Sequence, residues 1–181
     1  GIEITSWARA TGRANAERKQ KENTYSVNDA GGILTVSGDT SFHQAGIDID
    51  IEGPQEMTLD LHSAESTVYV RDVIGNGSIT GGAANLSNYE GDISVDVNRS
   101  VSGDIYPFEQ GTIDIRAGGD CSIRLPPFAP ISLIVEFDPE QESTFSDLGY
   151  DDEFLSDGLY EAMRVPADIT VNIRCPNGSV E

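Results

Sequence analysis

Residues 91–117, GDISVDVNRSVSGDIYPFEQGTIDIRA, indicate the fold class of this chain. Within this stretch, aliphatic residues alternate with polar residues in short bursts, such as Ile93, Val95 and Val97. Because every second side chain of a β-strand points to the same face, each burst predicts a short strand with one aliphatic and one polar face. Glycine precedes several bursts, where it can form a corner with a positive φ that other residues reach only with strain.

Similar bursts recur between residues 47 and 135 and again at 169–173. Two architectures place strands at such spacing: a β-sandwich, with turns roughly every 8–12 residues, and a β-solenoid, in which each coil stacks on the previous one. Short strands, Gly-x-Ile corners and uniformly aliphatic inward residues favour the solenoid. We therefore predict an all-β fold, a single-stranded right-handed β-solenoid or β-helix-like stack, as a single domain over 1–181. The predicted core contains Ile93, Val95, Ile113, Ile115, Ile123 and Leu125.

The chain is strongly acidic, with 31 acidic and 11 basic residues and a formal net charge of −20. Such a field repels phosphate groups, which argues against nucleic acid as the main partner and against docking on anionic lipid. The longest apolar run, 131–135, is interrupted by Ser132 and is too short to span a bilayer. Five of the basic residues lie in the first 21 positions, where alternating alanines predict a strand that continues the first sheet.

An acidic segment, 138–163, interrupts the β pattern between the terminal coils and contains no basic residue. Its residues Leu155, Leu159 and Met163 repeat at i, i+4, which predicts a short, partly helical excursion. Two roles fit this segment. It could cap the apolar end of the solenoid, or it could bind a partner through its aromatic and aliphatic side chains. The candidate interaction residues are Phe145, Tyr150, Phe154, Leu155 and Tyr160.

Outward-facing charges raise two further hypotheses. Acids near corner glycines in stacked coils could form a carboxylate ladder for calcium; these are Asp92, Asp104 and Asp120. A polysaccharide-degrading β-helix could use a pair of carboxylates and an arginine; the candidates are Asp104, Asp114, Arg116, Asp120 and Arg124. Both patterns are also what a solvated acidic face produces. We therefore expect no catalytic residue, no metal site and no cofactor.

The two cysteines, Cys121 and Cys175, are in phase with inward aliphatic residues, so we expect both side chains to be buried. An oxidising compartment would permit a disulfide between them. Their spacing does not correspond to one coil, so the sequence leaves the pairing open.

Several stretches resemble the adhesin-like family of bacterial β-solenoid domains. They are STVYVRDVIGNGSITGG at 66–82, the GDI units that begin at 91 and 103, the IRLP at 123–126 and the closing DITVNIRCPNGSV at 168–180. The opening IEITSW at 2–7 resembles that family's first strand. The resemblance implies a β-solenoid and a location outside the cytoplasm, with no catalytic residues to carry over.

We therefore expect a non-catalytic module at the cell surface, in the periplasm or secreted, with a role in adhesion, interaction or envelope structure. Its partner would be a protein or a glycan, not nucleic acid, and the chain would contain no membrane span. The start at Gly1, directly before a strand, suggests that a leader or anchor was removed. The alternatives are a carbohydrate-active β-helix enzyme and a sensing module of an envelope-stress system.

Overall fold

The structure, a computed structural model, describes residues 2–8, 13–30, 33–39, 45–51, 53–63, 66–127, 129–145 and 152–181. Contacts divide the chain into two compact units, Gly1–Gly53 and Pro54–Glu181. The elements of the first unit are β1 (Ile2–Ala8), α1 (Arg13–Lys21), β2 (Thr24–Ala30), β3 (Ile33–Asp39) and β4 (Ala45–Ile51).

In the first unit, β1 pairs antiparallel with β4, and β2 pairs antiparallel with β3. The alternation at 47–51 therefore belongs to an antiparallel pair, whereas the sequence had indicated that it belongs to the stacked coils. The predicted strand in the basic stretch is also wrong, because α1 occupies residues from Arg13 onward. Alanine, arginine, lysine and glutamate all favour helices, and an Arg13–Glu17 ion pair of 2.6 Å spans one turn of α1.

The second unit is built from twelve short strands in two sheets within the described residues. Their bounds are β5 Leu59–His62, β6 Thr67–Ile74, β7 Gly77–Gly81, β8 Ala83–Glu90, β9 Ile93–Val97, β10 Val101–Tyr106, β11 Thr112–Ala117, β12 Cys121–Arg124, β13 Ile131–Phe137, β14 Asp152–Ser156, β15 Leu159–Met163 and β16 Ile169–Cys175.

From β6 to β11 the chain forms three coils, each with one strand in a four-stranded sheet and one in an eight-stranded sheet. Each strand lies parallel to the equivalent strand of the next coil. The predicted β-solenoid is thus confirmed. Its coils lie within the second unit, so they span less of the chain than the range 1–181 predicted from the sequence.

The core is a continuous aliphatic stack between the two sheets. One register position of the eight-stranded sheet is filled by side chains that are at most 3% exposed, namely Ile79, Val95, Ile115, Ile173 and Val135. The six predicted core residues all contact this core; five are buried, and Ile123 is half-buried against it. Alternation of inward aliphatic and outward polar residues, which is strict in β9 and β11, therefore explains how the coils bury their core.

Two glycines form equivalent corners of successive coils. Gly75 and Gly91 have φ values of 146° and 141°, and a Cβ on Gly91 would lie 2.1 Å from the Gly75 carbonyl oxygen. Tyr89 lies next to this corner, fully buried, and its hydroxyl donates a 2.6 Å hydrogen bond to the same carbonyl oxygen. Burial and, to a lesser extent, the charge of Asp92 raise the pKa of Tyr89 to about 12. The ring thus links the core to the backbone of the corner.

After the third coil the order of strands in the sheet no longer follows the order in the chain. The eight-stranded sheet runs β14-β15-β13-β16-β11-β9-β7-β5, so the last strand, β16, lies between β11 and β13. It pairs parallel with both neighbours. The acidic segment lies between β13 and β16 in the chain, as predicted, but it extends this sheet instead of leaving it.

The predicted helical character of the acidic segment is wrong, because β14 and β15 form an antiparallel hairpin. Ser156 pairs with Leu159 across a two-residue turn, Asp157-Gly158, in which Gly158 has a φ of 77°. An Asp-Gly pair is a strong hairpin signal, and Tyr160 and Ala162 alternate inward along β15. The i, i+4 spacing of Leu155, Leu159 and Met163 was therefore coincidental.

Candidate interaction site at the end of the solenoid

The C-terminal end of the solenoid is closed by an aromatic cluster, defined here as Phe137, Phe145 and Tyr160. The rings of Phe145 and Tyr160 stack with centroids 4.2 Å apart, and those of Phe137 and Phe145 are 5.5 Å apart at a tilt of 60°. Tyr160 is 4% exposed, and burial, followed by the charge of Glu153, raises its pKa. Two of the five candidate interaction residues, Phe145 and Tyr160, are therefore occupied by packing within the chain.

Two other candidate residues are exposed on β14, which forms the end of the sheet. Phe154 is 55% exposed and Leu155 is 63% exposed. Tyr150 lies outside the described residues. The structure therefore divides the predicted interaction segment into an internal part, which supports the capping role, and an outer strand whose large side chains face solvent.

The inner side of this strand borders an open groove of about 470 Å³. It is lined by Glu153, Leu155 and Tyr160 of the hairpin and by Ser143, Thr144 and Phe145 of the preceding segment. The lining therefore combines aromatic and aliphatic side chains with one carboxylate, that of Glu153.

The segment opposite the hairpin is fixed by the C-terminal residues of the chain. Thr144 donates its backbone N–H to the Val180 carbonyl oxygen at 2.9 Å, and Val180 donates its own N–H to the Ser143 hydroxyl at 3.1 Å. Val180 in turn forms a parallel bridge with Cys121 at the start of β12. The groove therefore lies between continuations of the two sheets.

Cys121 and Cys175 are bonded, which resolves the pairing that the sequence left open. Both side chains are buried, as predicted. The disulfide joins β12 of the four-stranded sheet to the end of β16 of the eight-stranded sheet, across 54 residues of chain. It thereby tethers β16, the strand whose position in the sheet does not follow its position in the chain.

The charged residues proposed for catalysis do not share one face. Asp104 and Arg124 lie on the four-stranded sheet and form an ion pair of 3.0 Å, whereas Asp114 and Arg116 lie on the eight-stranded sheet. Asp114 accepts a 2.7 Å hydrogen bond from Asn172, and Asp120 accepts one of 3.0 Å from the Ser179 backbone. Three of the proposed acids therefore have partners within the chain that explain their presence.

The acids proposed for a calcium ladder are not stacked. Asp92 precedes β9 and accepts a hydrogen bond from the Thr112 backbone, Asp104 lies within β10, and Asp120 precedes β12. Among the residues that the structure describes, no group of three or more histidine, cysteine or acidic side chains could hold a metal ion.

One exposed aromatic residue was not singled out from the sequence. Tyr69 on β6 is 78% exposed and lies in register with Asn85, Ser102 and Ser122 across the four-stranded sheet. Asn85 donates a 2.8 Å hydrogen bond to the Ser102 hydroxyl. The available signal was the alternation itself, since Val68 and Val70 flank Tyr69 and point inward, which places its ring on the outer face.

Comparisons of the chain with protein-family models, curated proteins and solved structures gave no match. In the described part of the chain, no helix has the length and apolar character needed to cross a membrane.

Proposed function

We propose that the protein is a non-catalytic β-solenoid module that acts outside the cytoplasm and binds a protein partner through the exposed strand β14. The observation that carries this proposal is the exposure of Phe154 and Leu155 on the terminal strand of an eight-stranded sheet. Proteins usually cover or blunt such edges, and exposed apolar side chains on them are typical of interaction sites. A role in cell-surface adhesion or envelope structure accords with the adhesin-like resemblance of the sequence.

The disulfide supports a location outside the cytoplasm. Disulfides persist in oxidising compartments and are rare in cytosolic proteins, where thiols are kept reduced. Cys121 and Cys175 are bonded and buried. The location can be tested by labelling intact source cells with a membrane-impermeant amine reagent. We expect labelling of the protein on intact cells, in cells whose outer membrane alone is permeabilised, or in the medium. Labelling only after complete lysis would contradict a location outside the cytoplasm.

The binding role can be tested by site-specific photo-crosslinking on intact source cells. A photo-reactive phenylalanine analogue replaces Phe154, and the control carries it at Glu109, which is exposed in the loop between β10 and β11. We expect one discrete adduct from position 154 that is absent from position 109. Equal adducts from both positions, or none from position 154, would exclude β14 as the binding surface.

A glycan partner is a second candidate, and the exposure of Tyr69 favours it. An exposed aromatic ring beside the amide of Asn85 and the hydroxyl of Ser102 offers both apolar and polar contacts to a sugar ring. A panel of oligosaccharides can be screened by calorimetry against the whole chain. Tyr69→Ala should then abolish binding, whereas Tyr106→Ala, on the same sheet, should leave it unchanged.

A further inference from the structure

The main-chain groups of β14 define an open hydrogen-bonding edge. In an antiparallel ladder, hydrogen-bonded pairs alternate with pairs whose N–H and C=O groups point away from each other. Ser156 and Leu159 flank a two-residue turn and therefore form a hydrogen-bonded pair, as do Phe154 and Glu161. The N–H and C=O groups of Glu153 and Leu155 consequently point to the side of β14 that no described strand occupies.

The side chains of this edge present different chemistry on the two faces of the sheet. Directly opposite residues of paired strands share a face, so Leu155 lies on the inner face with Tyr160, and Glu153 lies there with Ala162. Phe154 lies on the outer face, beside Glu161. A strand added to this edge would meet an acid and an aliphatic side chain at the groove, and an aromatic ring on the other face.

The charge of the edge limits what can bind there. Residues 138–163 contain no basic residue, and Glu153, Asp157 and Glu161 are all exposed around the hairpin. A second copy of the chain that paired β14 with β14 would bring two segments together that carry only acidic charges, in a protein of net charge −20, and these charges repel each other. A basic partner would instead gain electrostatic attraction and faster association.

We propose that β14 takes up an extended basic–apolar peptide segment, which adds to the eight-stranded sheet as a ninth strand. This inference rests on the proposed binding role of β14 and specifies the class of partner. The main-chain hydrogen bonds come from Glu153 and Leu155, and the pockets between alternate side chains provide the selectivity.

The register also specifies the side chains that fit. The peptide residue opposite Glu153 is lysine or arginine, and the residue opposite Leu155, two positions along, is aliphatic and enters the groove. The residue between them lies on the outer face against Phe154 and is aromatic or aliphatic. The motif is therefore a basic residue followed or preceded, two positions away, by an aliphatic one.

Four capped seven-residue peptides test this proposal by fluorescence anisotropy with the whole chain at low ionic strength. The first is Lys-Thr-Lys-Phe-Leu-Thr-Lys and the second is its reverse, since the strand direction is not specified. The third replaces every lysine of the better-binding of these two peptides with glutamate. The fourth is the better-binding lysine peptide with N-methyl groups on its two N–H groups that face β14. In the first peptide, which matches the motif when parallel to β14, these belong to the phenylalanine and to the threonine after the leucine. In the reverse peptide, which matches it when antiparallel, they belong to the leucine and to the lysine two positions after it. We expect one lysine peptide to bind and the glutamate peptide and the N-methylated peptide to bind at least tenfold more weakly.

Matched protein variants distinguish the contribution of main-chain hydrogen bonds to peptide binding from that of the side chains. Leu155→Pro removes an N–H that points to the open edge and leaves the β14–β15 ladder intact, as edge positions tolerate proline. We expect it to weaken peptide binding at least tenfold, and more than Leu155→Ala does. Glu153→Gln should weaken binding of the lysine peptide severalfold, whereas Glu109→Gln, which makes the same charge change elsewhere, should not.

The outcomes distinguish this inference from the binding role on which it rests. If neither lysine peptide binds, or the N-methylated or glutamate peptide binds as well as its parent, strand addition by a basic peptide is wrong. If a concentration-dependent dimer forms that Leu155→Pro abolishes, a second copy occupies the edge and the inference is also wrong. A specific crosslinked adduct at position 154 would then still support the binding role of β14. The absence of that adduct would contradict both the binding role and the strand addition.

Discussion

The three coils from β6 to β11 and the C-terminal end from β12 to β16 belong to the same sheets but are connected differently. In the coils, stacked residues lie 16 to 20 positions apart, as with Asp72 and Asn88 or Asp92 and Thr112. At the end, β16 lies between β11 and β13, and Asn172 donates a hydrogen bond to Asp114 across 58 residues. The coils therefore extend by repetition, and the end is closed by long-range contacts.

A repeated sequence pattern can therefore specify the coils, whereas the C-terminal end needs specific contacts between residues that are distant in the chain. Each coil buries its aliphatic face against its neighbours, and the pattern can in principle continue. The terminal coil must stop without leaving its core open. Here the aromatic cluster, the hairpin of β14 and β15 and the disulfide close the core, while the edge of β14 remains without a partner among the described residues.

The largest effect should come from the centre of the coils. We expect Ile115→Ala to lower the free energy of unfolding by about 2–5 kcal/mol, because it deletes a side chain that is 2% exposed in the aliphatic stack. The neighbouring Asp114→Ala, on the outer face, should cost about 1 kcal/mol or less, since it removes one exposed hydrogen bond. Urea denaturation measures both, and equal losses would contradict the alternation of faces.

Removal of the disulfide should have the next largest effect on stability, and it should destabilise the C-terminal end of the solenoid. We expect Cys121→Ser combined with Cys175→Ser to cost about 2–4 kcal/mol, because the bond closes a loop of 54 residues and tethers β16. Chemical denaturation of the oxidised, reduced and doubly substituted proteins measures this cost. The reduced protein should resemble the variant, and three equal stabilities would mean that the bond does not hold the end.

Alkaline pH should destabilise the coils through Tyr89. Its pKa is about 12 in the folded protein, against 10.0 for the unfolded chain, so the folded state holds this proton more tightly. The stability that this proton contributes to the folded state is fully present below pH 10. It is lost as the pH rises towards 12, which lowers the free energy of unfolding by about 2–3 kcal/mol in total. Tyr89→Phe should lack this part of the pH dependence. The free energy of unfolding of the two proteins is measured by urea denaturation between pH 9 and 12. If it falls equally in both, Tyr89 is not the source of the pH dependence.

The smallest effect concerns the aromatic cluster of the end. A double-mutant cycle with Phe145→Ala and Tyr160→Ala should give a coupling energy of about 0.5–1.5 kcal/mol, because the two rings stack at 4.2 Å. A second cycle that pairs Phe145→Ala with Ile79→Ala, far away in the coils, should give no coupling. Zero coupling in the first cycle would mean that the rings do not close the core.

The sequence predicted the coils well because their information is local. Alternation fixes which residues of β9 and β11 point inward, and Ile93, Val95, Ile113 and Ile115 are buried as expected. Gly91 was correctly expected at a corner of positive φ. Gly77 has no such φ, and it is needed instead because a Cβ there would lie 2.6 Å from the Tyr89 hydroxyl oxygen.

The end could not be predicted in the same way. The position of β16 between β11 and β13 depends on pairing across long stretches of chain, which no local pattern encodes. The hairpin could have been found from Asp157-Gly158, but the i, i+4 spacing of three apolar residues suggested a helix instead. The candidate interaction residues were taken from one segment of the sequence. Only the structure separates Phe145 and Tyr160, which stack against each other at the core, from Phe154 and Leu155, which are exposed.

Residue-resolved amide hydrogen exchange is the most direct test of a closed core with an open edge. We predict the slowest exchange for Val171 and Ile173 of β16, which lie inside the sheet, and rapid exchange for Glu153 and Leu155, whose N–H groups point to the open side. The Phe154 amide, paired with Glu161, should exchange at least tenfold more slowly than either neighbour. Glu153 and Leu155 amides as protected as that of Phe154, or β16 amides as fast as those of β14, would contradict the account.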